Sequence, residues 1–424
     1  MVIRYKNMYL DTENNFFSHD HPTDNQMKVP YNFNLTKVKK YSPYKIKEIG
    51  LCVSNCCNFR CNYCIDSVDN SSPAFLSVKQ VNIFLDEIFK IWKIRSVAIE
   101  PHPLKVYFSG AGEQTFLWDR FKEIVLFILE KSKKHNIPIQ FGITTNGYLK
   151  QDEIEFLSNN FDYITVSYDG TPQIQNTNRK TSTGNPTSNI VAKTINSLLL
   201  SRAKIIIRTT IWPQNFKNIE SIISYLYLTF GSNFIWELNP VIPIGRAEQS
   251  LTSYTGSYDF AETYSKALML CKKYGITTNN VFFPTSLNQL SCGAYVKYCQ
   301  CPWLLPSGEI VSCIESMKYS DKLGYLNDCS VIWNDHINPV LEDSTSNANA
   351  DCVSCFAYPF CKCGCPARRL EEKNKNSIYW KCEQIKNYVS RIYDDLLAGK
   401  QNDFIKLEKV TQGNTCIYKL ENII

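Results

Sequence analysis

The sequence lacks the features that mark membrane, exported and nucleic-acid-binding proteins. The apolar run at 124–129 is far shorter than the roughly 18 residues that a membrane helix needs. The first 29 residues are polar and lack the basic-then-apolar order of a secretory signal. Lysine and arginine exceed aspartate and glutamate by only 46 to 40, and no basic run marks a nucleic-acid surface. We therefore expect a cytoplasmic protein with neither a membrane nor a nucleic-acid partner.

Histidine is also scarce, with five residues, whereas cysteine is abundant, with 18. The cytosol keeps thiols reduced, so we do not expect these cysteines to form disulfide bonds. Clustered cytosolic cysteines are typical of metal sites, and sites built from thiolates alone favour iron–sulfur clusters or zinc.

Between Lys45 and Pro240, short β-branched or aromatic runs alternate with amphipathic helical stretches. The runs predict strands at 46–53, 105–109, 139–145, 163–167, 204–210 and 234–240. Repeated strand–helix steps require right-handed crossovers and a parallel sheet. Six units curl towards a barrel but fall short of the eight that close one. We predict an α/β fold, a partial (β/α)6 barrel, with its functional residues at the carboxyl ends of the strands.

The pattern changes after Gly245. A helix is predicted at 258–273, a loop-rich segment from 291 to 382 holds 11 of the 18 cysteines, and a last helix is predicted at 383–397. We divide the chain into an N-terminal extension at 1–44, expected to be a solvated arm, a barrel core at 45–250, a cysteine-rich domain at 251–390 and an unassigned tail at 391–424.

The first predicted strand leads directly into Cys57, Cys61 and Cys64, which have the spacing C-x3-C-x2-C. A structural zinc site takes four ligands, and no fourth Cys or His follows nearby. Three thiolates on a [4Fe–4S] cluster would leave one iron open to a further ligand. On the ligand spacing alone, zinc remains the alternative.

Other strand ends carry polar and glycine-rich segments. The second ends in Ser-Gly-Ala-Gly-Glu at 109–113, the third in Thr-Thr-Asn-Gly at 144–147, and the fourth in Ser-Tyr-Asp-Gly at 167–170. With the cysteine motif, in which Tyr63 is the aromatic residue before the last cysteine, these segments resemble the radical S-adenosylmethionine (SAM) superfamily. The resemblance implies a [4Fe–4S] cluster that binds and reductively cleaves SAM, giving a 5′-deoxyadenosyl radical that abstracts hydrogen.

The same resemblance implies a set of residues around SAM. The 109–115 segment is similar to the family's Gly-Gly-Glu-Pro segment, with Ala111 and Gln114 as departures, and would hold the amino group. Ser167 would contact the ribose, and Arg179 and Arg208 are candidates for the carboxylate. The expected cofactor contacts are Gly112, Glu113, Asn146, Ser167, Arg179 and Arg208.

A second group of cysteines lies towards the C-terminus. Cys352, Cys355, Cys361 and Cys365 have the spacing C-x2-C-x5-C-x3-C, and Cys382 follows. A bare C-x2-C is typical of zinc ribbons. The whole pattern, however, is similar to the SPASM domain, which binds two auxiliary [4Fe–4S] clusters. The resemblance implies one cluster on Cys352, Cys355, Cys361 and Cys382, and another on Cys313, Cys365, Cys292 and Cys299, with Cys301 competing with Cys299.

Members of this branch mostly modify peptides or proteins. The resemblance therefore implies a precursor-peptide substrate, hydrogen abstraction, and an oxidised product with a new thioether or carbon–carbon bond. Flavodoxin or ferredoxin would supply electrons. The runner-up is a sulfatase-maturing type that oxidises one Cys or Ser, and the alternative from another class is a non-catalytic, zinc-stabilised peptide-binding protein. No catalytic base is assigned.

Overall fold

The computed structural model describes residues 2–6, 8–11, 16–18, 46, 48–96, 102–241, 245–248, 260–279, 301–312, 314, 322–334, 355–361, 380–400, 405–412 and 415–422. The chain divides into two compact units. The core unit comprises residues 41–279 and 299–335, and the terminal unit comprises residues 1–40, 280–298 and 336–424.

The strands of the described residues are numbered in chain order. They are β1 (Val2–Tyr5), β2 (Met8–Asp11), β3 (Phe16–Ser18), β4 (Glu48–Leu51), β5 (Leu104–Phe108), β6 (Ile139–Thr145), β7 (Tyr163–Ser167), β8 (Lys204–Ile211), β9 (Ile235–Pro240), β10 (Thr277–Asn279), β11 (Trp303–Leu304), β12 (Glu309–Val311), β13 (Lys322–Leu326), β14 (Val331–Trp333), β15 (Ile405–Gln412) and β16 (Thr415–Asn422).

The helices of the same residues are numbered likewise. They are α1 (Val78–Ser96), α2 (Trp118–His135), α3 (Gln151–Asn160), α4 (Pro172–Asn178), α5 (Ser188–Leu198), α6 (Ile219–Phe230), α7 (Phe260–Tyr274), α8 (Tyr358–Cys361) and α9 (Trp380–Leu397).

The core unit is built on one sheet in which β4 to β9 are parallel and lie in sequence order. These are the six predicted strands, and the predicted parallel arrangement is confirmed. The short parallel strand β10 extends the sheet beside β9. On the other edge β11 runs parallel to β4, and β12 to β14 continue the sheet in antiparallel order.

Amphipathic helices cover one face of this sheet. One face of α1 is apolar, and its Val81, Phe84 and Leu85 are fully buried. A capping box lies at its start: the Ser77 hydroxyl accepts the Gln80 N–H at 3.2 Å, and the Ser77 N–H donates to Gln80 Oε1 at 2.8 Å. Burial of each large apolar side chain stabilises the folded state by about 1.5–3 kcal/mol, so this face contributes much of the free energy that packs α1 into the core unit.

The opposite face of the sheet carries a row of alternating large and small residues. Cross-strand register aligns Trp303, Gly50, Tyr107, Gly142 and Tyr163 on five neighbouring strands. A Cβ atom on Gly50 would lie 2.0 Å from the Trp303 ring, and one on Gly142 would lie 2.5 Å from the Tyr107 ring. The glycines therefore make room for the aromatic rings on this face.

The terminal unit contains an antiparallel sheet in the order β1-β2-β3-β16-β15. Strand β3 pairs with β16, with Phe17 opposite Tyr418. Tyr5 and the buried Phe17 pack edge-on against Tyr393 of α9, with ring centroids 5.3 and 4.9 Å apart. The start of the chain is thus not the predicted solvated arm. Strands of three or four residues give little period-two signal, and their partner lies about 400 residues away.

Candidate functional site

The three predicted cluster cysteines lie in one loop that follows β4. Cys57, Cys61 and Cys64 are half-buried, whereas the neighbouring Cys52 and Cys56 are fully buried. The segment that follows β5 contacts the backbone of this loop at Gly112 and Glu113. The Glu113 N–H donates to the Cys56 carbonyl at 2.7 Å. A Cβ on Gly112 would lie only 2.4 Å from that carbonyl oxygen, and its φ of +80° is one that glycine favours. The backbone at residue 112 lies so close to that of the cysteine loop that only glycine, which has no Cβ, fits there.

The last residue of α4 and the segment that follows it hold one side of the cysteine loop. The Arg60 N–H donates to the Lys180 carbonyl at 2.8 Å, and the Asn62 N–H donates to the Asn178 carbonyl at 2.9 Å. On the other side, Arg246 Nη1 donates to the Cys61 carbonyl at 2.7 Å. The loop is therefore fixed by backbone carbonyls at Asn178 and Lys180 and by the side chain of Arg246.

The surroundings of the thiols fit an iron–sulfur cluster. Burial, with the nearby Glu113, raises the pKa of the Cys57 thiol to about 12, so a thiolate there needs a positive partner. The Phe59 N–H lies 3.4 Å from Cys57 Sγ, and Asn146 Nδ2 lies 4.0 Å from it. N–H donors of this kind stabilise cluster thiolates and tune the cluster.

Within the described residues, no three Cys, His, Asp or Glu side chains converge as they would on a single metal ion. A cubane does not require such convergence, because each of its thiolate ligands binds a different iron atom.

Glu113 lies between the ends of β5 and β6 and is 3% exposed. Its Oε1 accepts the Thr115 hydroxyl and the Thr145 hydroxyl, each at 2.8 Å, and its Oε2 accepts the Asn146 N–H at 2.6 Å. Burial raises the pKa of this carboxyl, against the effect of those donors. The carboxylate therefore joins two strand ends, and its predicted contact with the SAM amino group stays a prediction.

A buried network joins the cysteine loop to the ends of β7 and β8. The Tyr63 hydroxyl donates to Asp169 Oδ2 at 2.6 Å and accepts from Arg179 Nη1 at 2.9 Å. Asp169 also accepts the Asn178 side-chain amide at 3.1 Å and the Thr210 N–H at 3.2 Å. Sequence reasoning singled out Arg179 but missed the roles of Asp169 and the Tyr63 hydroxyl.

Ser167 and Arg208 lie opposite each other in the register of β7 and β8. Arg208 Nε donates to Glu237 Oε1 on β9 at 2.5 Å, and Glu237 is 3% exposed. The Asn239 side-chain amide donates to the same oxygen at 2.9 Å. Glu237 was missed at the sequence level, although its spacing of two from Asn239 places both on one face of a strand.

Part of the second cysteine group lies outside the described residues, namely Cys292, Cys299, Cys313, Cys352 and Cys365. Cys355, Cys361 and Cys382 are described, half-buried and belong to the terminal unit. Cys301, also half-buried, belongs to the core unit. Both predicted auxiliary sites therefore stay predictions.

Residues 51–226 match the family model of the radical SAM superfamily, whose cofactors are a [4Fe–4S] cluster and SAM. The cysteine-type anaerobic sulfatase-maturating enzyme of Clostridium novyi is 24% identical over 359 residues, which cover 80% of this chain and 92% of that protein. That of Clostridium perfringens strain 13 is 22% identical and covers 82% and 96%. In the part of the chain that the structure describes, no helix is long and apolar enough to cross a membrane.

Two solved structures have a similar fold. Native anSMEcpe with bound AdoMet and the Kp18Cys peptide has a TM-score of 0.59 at 16% identity and covers 83% of this chain and 99% of that one. Streptococcus suis SuiB bound to its precursor peptide SuiA has a TM-score of 0.51 at 14% identity and covers 77% and 73%. The comparisons favour the enzyme over the non-catalytic zinc protein. Residues 51–226 are a radical SAM domain, and the chain is an enzyme homologous to the anaerobic sulfatase-maturating enzymes.

Proposed function

We propose that Cys57, Cys61 and Cys64 hold the [4Fe–4S] cluster that binds SAM, and that the enzyme modifies a peptide or protein substrate. The carrying observation is the loop of three half-buried thiols, fixed at the carboxyl ends of parallel strands within a radical SAM domain. When bound, the cluster supplies the electron that cleaves SAM and so starts hydrogen abstraction.

The residues of the strand ends would orient SAM around that loop. Ser167 and Arg208, adjacent across β7 and β8, are proposed to contact the ribose and the carboxylate. Gly112 lets the segment after β5 approach the cysteine loop closely, and Asn146, the residue that follows β6, has its side-chain amide 4.0 Å from Cys57 Sγ. Glu113, proposed to contact the amino group, and Arg179, a candidate for the carboxylate, complete the proposed set of SAM contacts.

We propose that the C-terminal region is a SPASM domain with two auxiliary [4Fe–4S] clusters. Cys352, Cys355, Cys361 and Cys382 would hold one. The second would be held by Cys313, Cys365, Cys292 and Cys299. Three half-buried thiols of the first set lie in the terminal unit, which supports this assignment. Such clusters suit acceptance of the electron released when a substrate radical is oxidised.

The substrate we propose is a precursor peptide, and the product a peptide with a new thioether or carbon–carbon bond. Support comes from SuiB, a similar fold bound to a precursor peptide. The second candidate, oxidation of one Cys or Ser in a protein, is favoured by the sulfatase-maturating relatives. In both cases the enzyme would act in the cytoplasm with flavodoxin or ferredoxin as electron donor. The partial barrel predicted from the sequence provides an open side for a large substrate.

Anaerobic reconstitution with iron and sulfide, followed by SAM and dithionite, tests the proposal. We expect 5′-deoxyadenosine by mass spectrometry, and expect it to be lost in the C57A/C61A/C64A triple variant. Cys271→Ala is the matched control, because this thiol is buried in α7 away from the loop. A protein that binds zinc and yields no 5′-deoxyadenosine would contradict the proposal.

Peptide substrates then separate the two candidate reactions. A cross-linked peptide loses two hydrogen atoms and keeps its sulfur, as does a peptide in which one Ser is oxidised to an aldehyde, whereas the oxidation of one Cys replaces the thiol by a carbonyl group. Mass spectrometry therefore identifies Cys oxidation by its mass, and reaction with a hydrazide distinguishes the aldehyde of an oxidised Ser from a cross-link.

A further inference from the structure

The chain turns back along the cysteine loop directly after the third motif cysteine. We call residues 65–76 the return segment. Asn55 holds its far end, because the Asn55 N–H donates to the Ala74 carbonyl at 3.3 Å and Asn55 Oδ1 accepts the Ala74 N–H at 2.8 Å. Ser54 and Phe75 form an antiparallel bridge beside them. The return segment therefore runs antiparallel to the residues that lead into the motif cysteines.

At Cys57 a side chain of the return segment takes the place of a strand partner. The Cys57 N–H donates to Asn70 Oδ1 at 2.9 Å, and Asn70 Nδ2 donates to the Cys57 carbonyl at 3.0 Å. A side-chain amide carries the same kinds of donor and acceptor as a peptide group. Asn70 therefore satisfies both backbone groups of Cys57, as a residue of a paired strand would.

The turn that carries Asn70 is itself held in place. Asn70 has a φ of +62°, in the left-handed region that Asn adopts more readily than most residues. Arg60 donates to the carbonyls of Val68 and Asp69, and Arg246 Nη2 donates to the Val68 carbonyl at 2.6 Å. Two guanidinium groups thus fix the backbone just before Asn70, so its amide meets Cys57 in one orientation.

The other two motif cysteines are held by a different residue. Arg246 Nη1 donates to the Cys61 carbonyl at 2.7 Å, and the Arg246 N–H donates to the Cys64 carbonyl at 3.0 Å. Asn70 has the corresponding part at Cys57. Cysteine has a single side-chain torsion between its backbone and its sulfur, so the position of the sulfur follows closely from that of the backbone. Fixing the Cys57 backbone therefore fixes Cys57 Sγ.

We infer that Asn70 is a positioning residue for Cys57 and that it slows the loss of iron from the proposed cluster. The inference rests on the proposed function, in which Cys57 is a cluster ligand. The two hydrogen bonds of Asn70 are with the Cys57 backbone, so the residue acts through the ligand. Hydrogen-bonding partners of metal ligands typically change metal affinity by about 10–100-fold.

Release of iron to a chelator tests this role. Full-length protein is reconstituted anaerobically with iron and sulfide, mixed with ferrozine under reducing conditions, and the rate of colour formation is measured. Asn70→Gly removes the amide but keeps a residue that readily adopts a positive φ, and we expect its rate to be about tenfold higher than that of the wild-type protein. Ser67→Gly is the matched control, because Ser67 is exposed, lies in the same return segment and has a φ of +51°. We expect this control to release iron at the wild-type rate.

The same substitution in a second background assigns the effect to the motif cysteines. Asn70→Gly added to the C57A/C61A/C64A variant should cause no acceleration, because the three thiols are absent. A wild-type rate in Asn70→Gly, an equal acceleration in Ser67→Gly, or an acceleration that persists in the C57A/C61A/C64A background would each overturn the inference.

A second variant keeps the test decisive if Asn70→Gly does not fold, as judged by circular dichroism. Asn70→Asp keeps the acceptor for the Cys57 N–H and, at neutral pH, loses the donor to the Cys57 carbonyl. We expect faster iron release from this variant too, and a wild-type rate would overturn the inference. Equal iron contents in the wild-type protein and the C57A/C61A/C64A variant, with no 5′-deoxyadenosine from either, would instead contradict the proposed function.

Discussion

Breaking the ion pair between β8 and β9 should destabilise the core unit measurably. In Arg208→Ala, the carboxylate of Glu237 remains buried and, among the residues that the structure describes, keeps only the side-chain amides of Asn239 at 2.9 Å and Asn279 at 3.4 Å. Removing one partner of a fully buried pair costs about 3–5 kcal/mol. The Arg208 side chain is 34% exposed, and two amides remain, so we expect a smaller loss of about 2–3 kcal/mol.

A double-mutant cycle isolates this effect. Arg208→Ala combined with Glu237→Gln leaves no buried charge, so we expect it to recover about 1–2 kcal/mol relative to Arg208→Ala alone. Denaturant unfolding followed by tryptophan fluorescence measures the free energies. Lys266→Ala, which breaks an exposed pair with Glu220, is the control and should cost under about 1 kcal/mol. An Arg208→Ala loss as small as the control, or strictly additive changes, would refute the reasoning.

Three further changes test the packing and the ionisation of single residues. In Gly112→Ala the new Cβ would lie 2.4 Å from the Cys56 carbonyl oxygen, so the cysteine loop should not keep its conformation. We expect cluster loading, measured as iron per protein, to fall greatly. Gly142→Ala should destabilise the core unit by about 1–3 kcal/mol in denaturant unfolding, since its Cβ would meet the Tyr107 ring at 2.5 Å. Burial raises the pKa of Cys52 to about 12, so its thiol stays protonated at pH 8. Iodoacetamide should therefore label the exposed Cys329 and spare Cys52, and peptide mass spectrometry that finds equal labelling would contradict this expectation.

The parallel sheet and the position of the cysteine loop were predictable from the sequence. Strand β6, for example, is a compact β-branched or aromatic run between amphipathic helices, and its predicted bounds, 139–145, are those in the structure. In folds of this kind, functional residues lie at the carboxyl ends of the parallel strands. Because the motif at Cys57 follows the first strand, that rule predicts where the cysteine loop lies.

The pairing of polar side chains could not be predicted in the same way. Sequence spacing puts Arg208 on a strand but does not reveal that Glu237 lies opposite it, because the register of β8 and β9 is set by packing around both. Likewise, the sequence motif marks Glu113 as a candidate SAM contact. Its hydrogen bonds to Thr145 and Asn146, by contrast, depend on how the ends of β5 and β6 meet. Contacts between distant segments are decided by the fold as a whole.

The pairing of β3 with β16 has a consequence for the synthesis of the chain. Ser18 and Ile417 are partners in one sheet, so the first strands leave the ribosome long before their partner exists. At about 5–20 residues per second, the wait is about 20–80 seconds. Strands β4 to β9 of the core unit follow one another in the chain and have no such delay. Throughout that interval β3 lacks its partner β16, and a chain released before residue 415 cannot complete the terminal sheet.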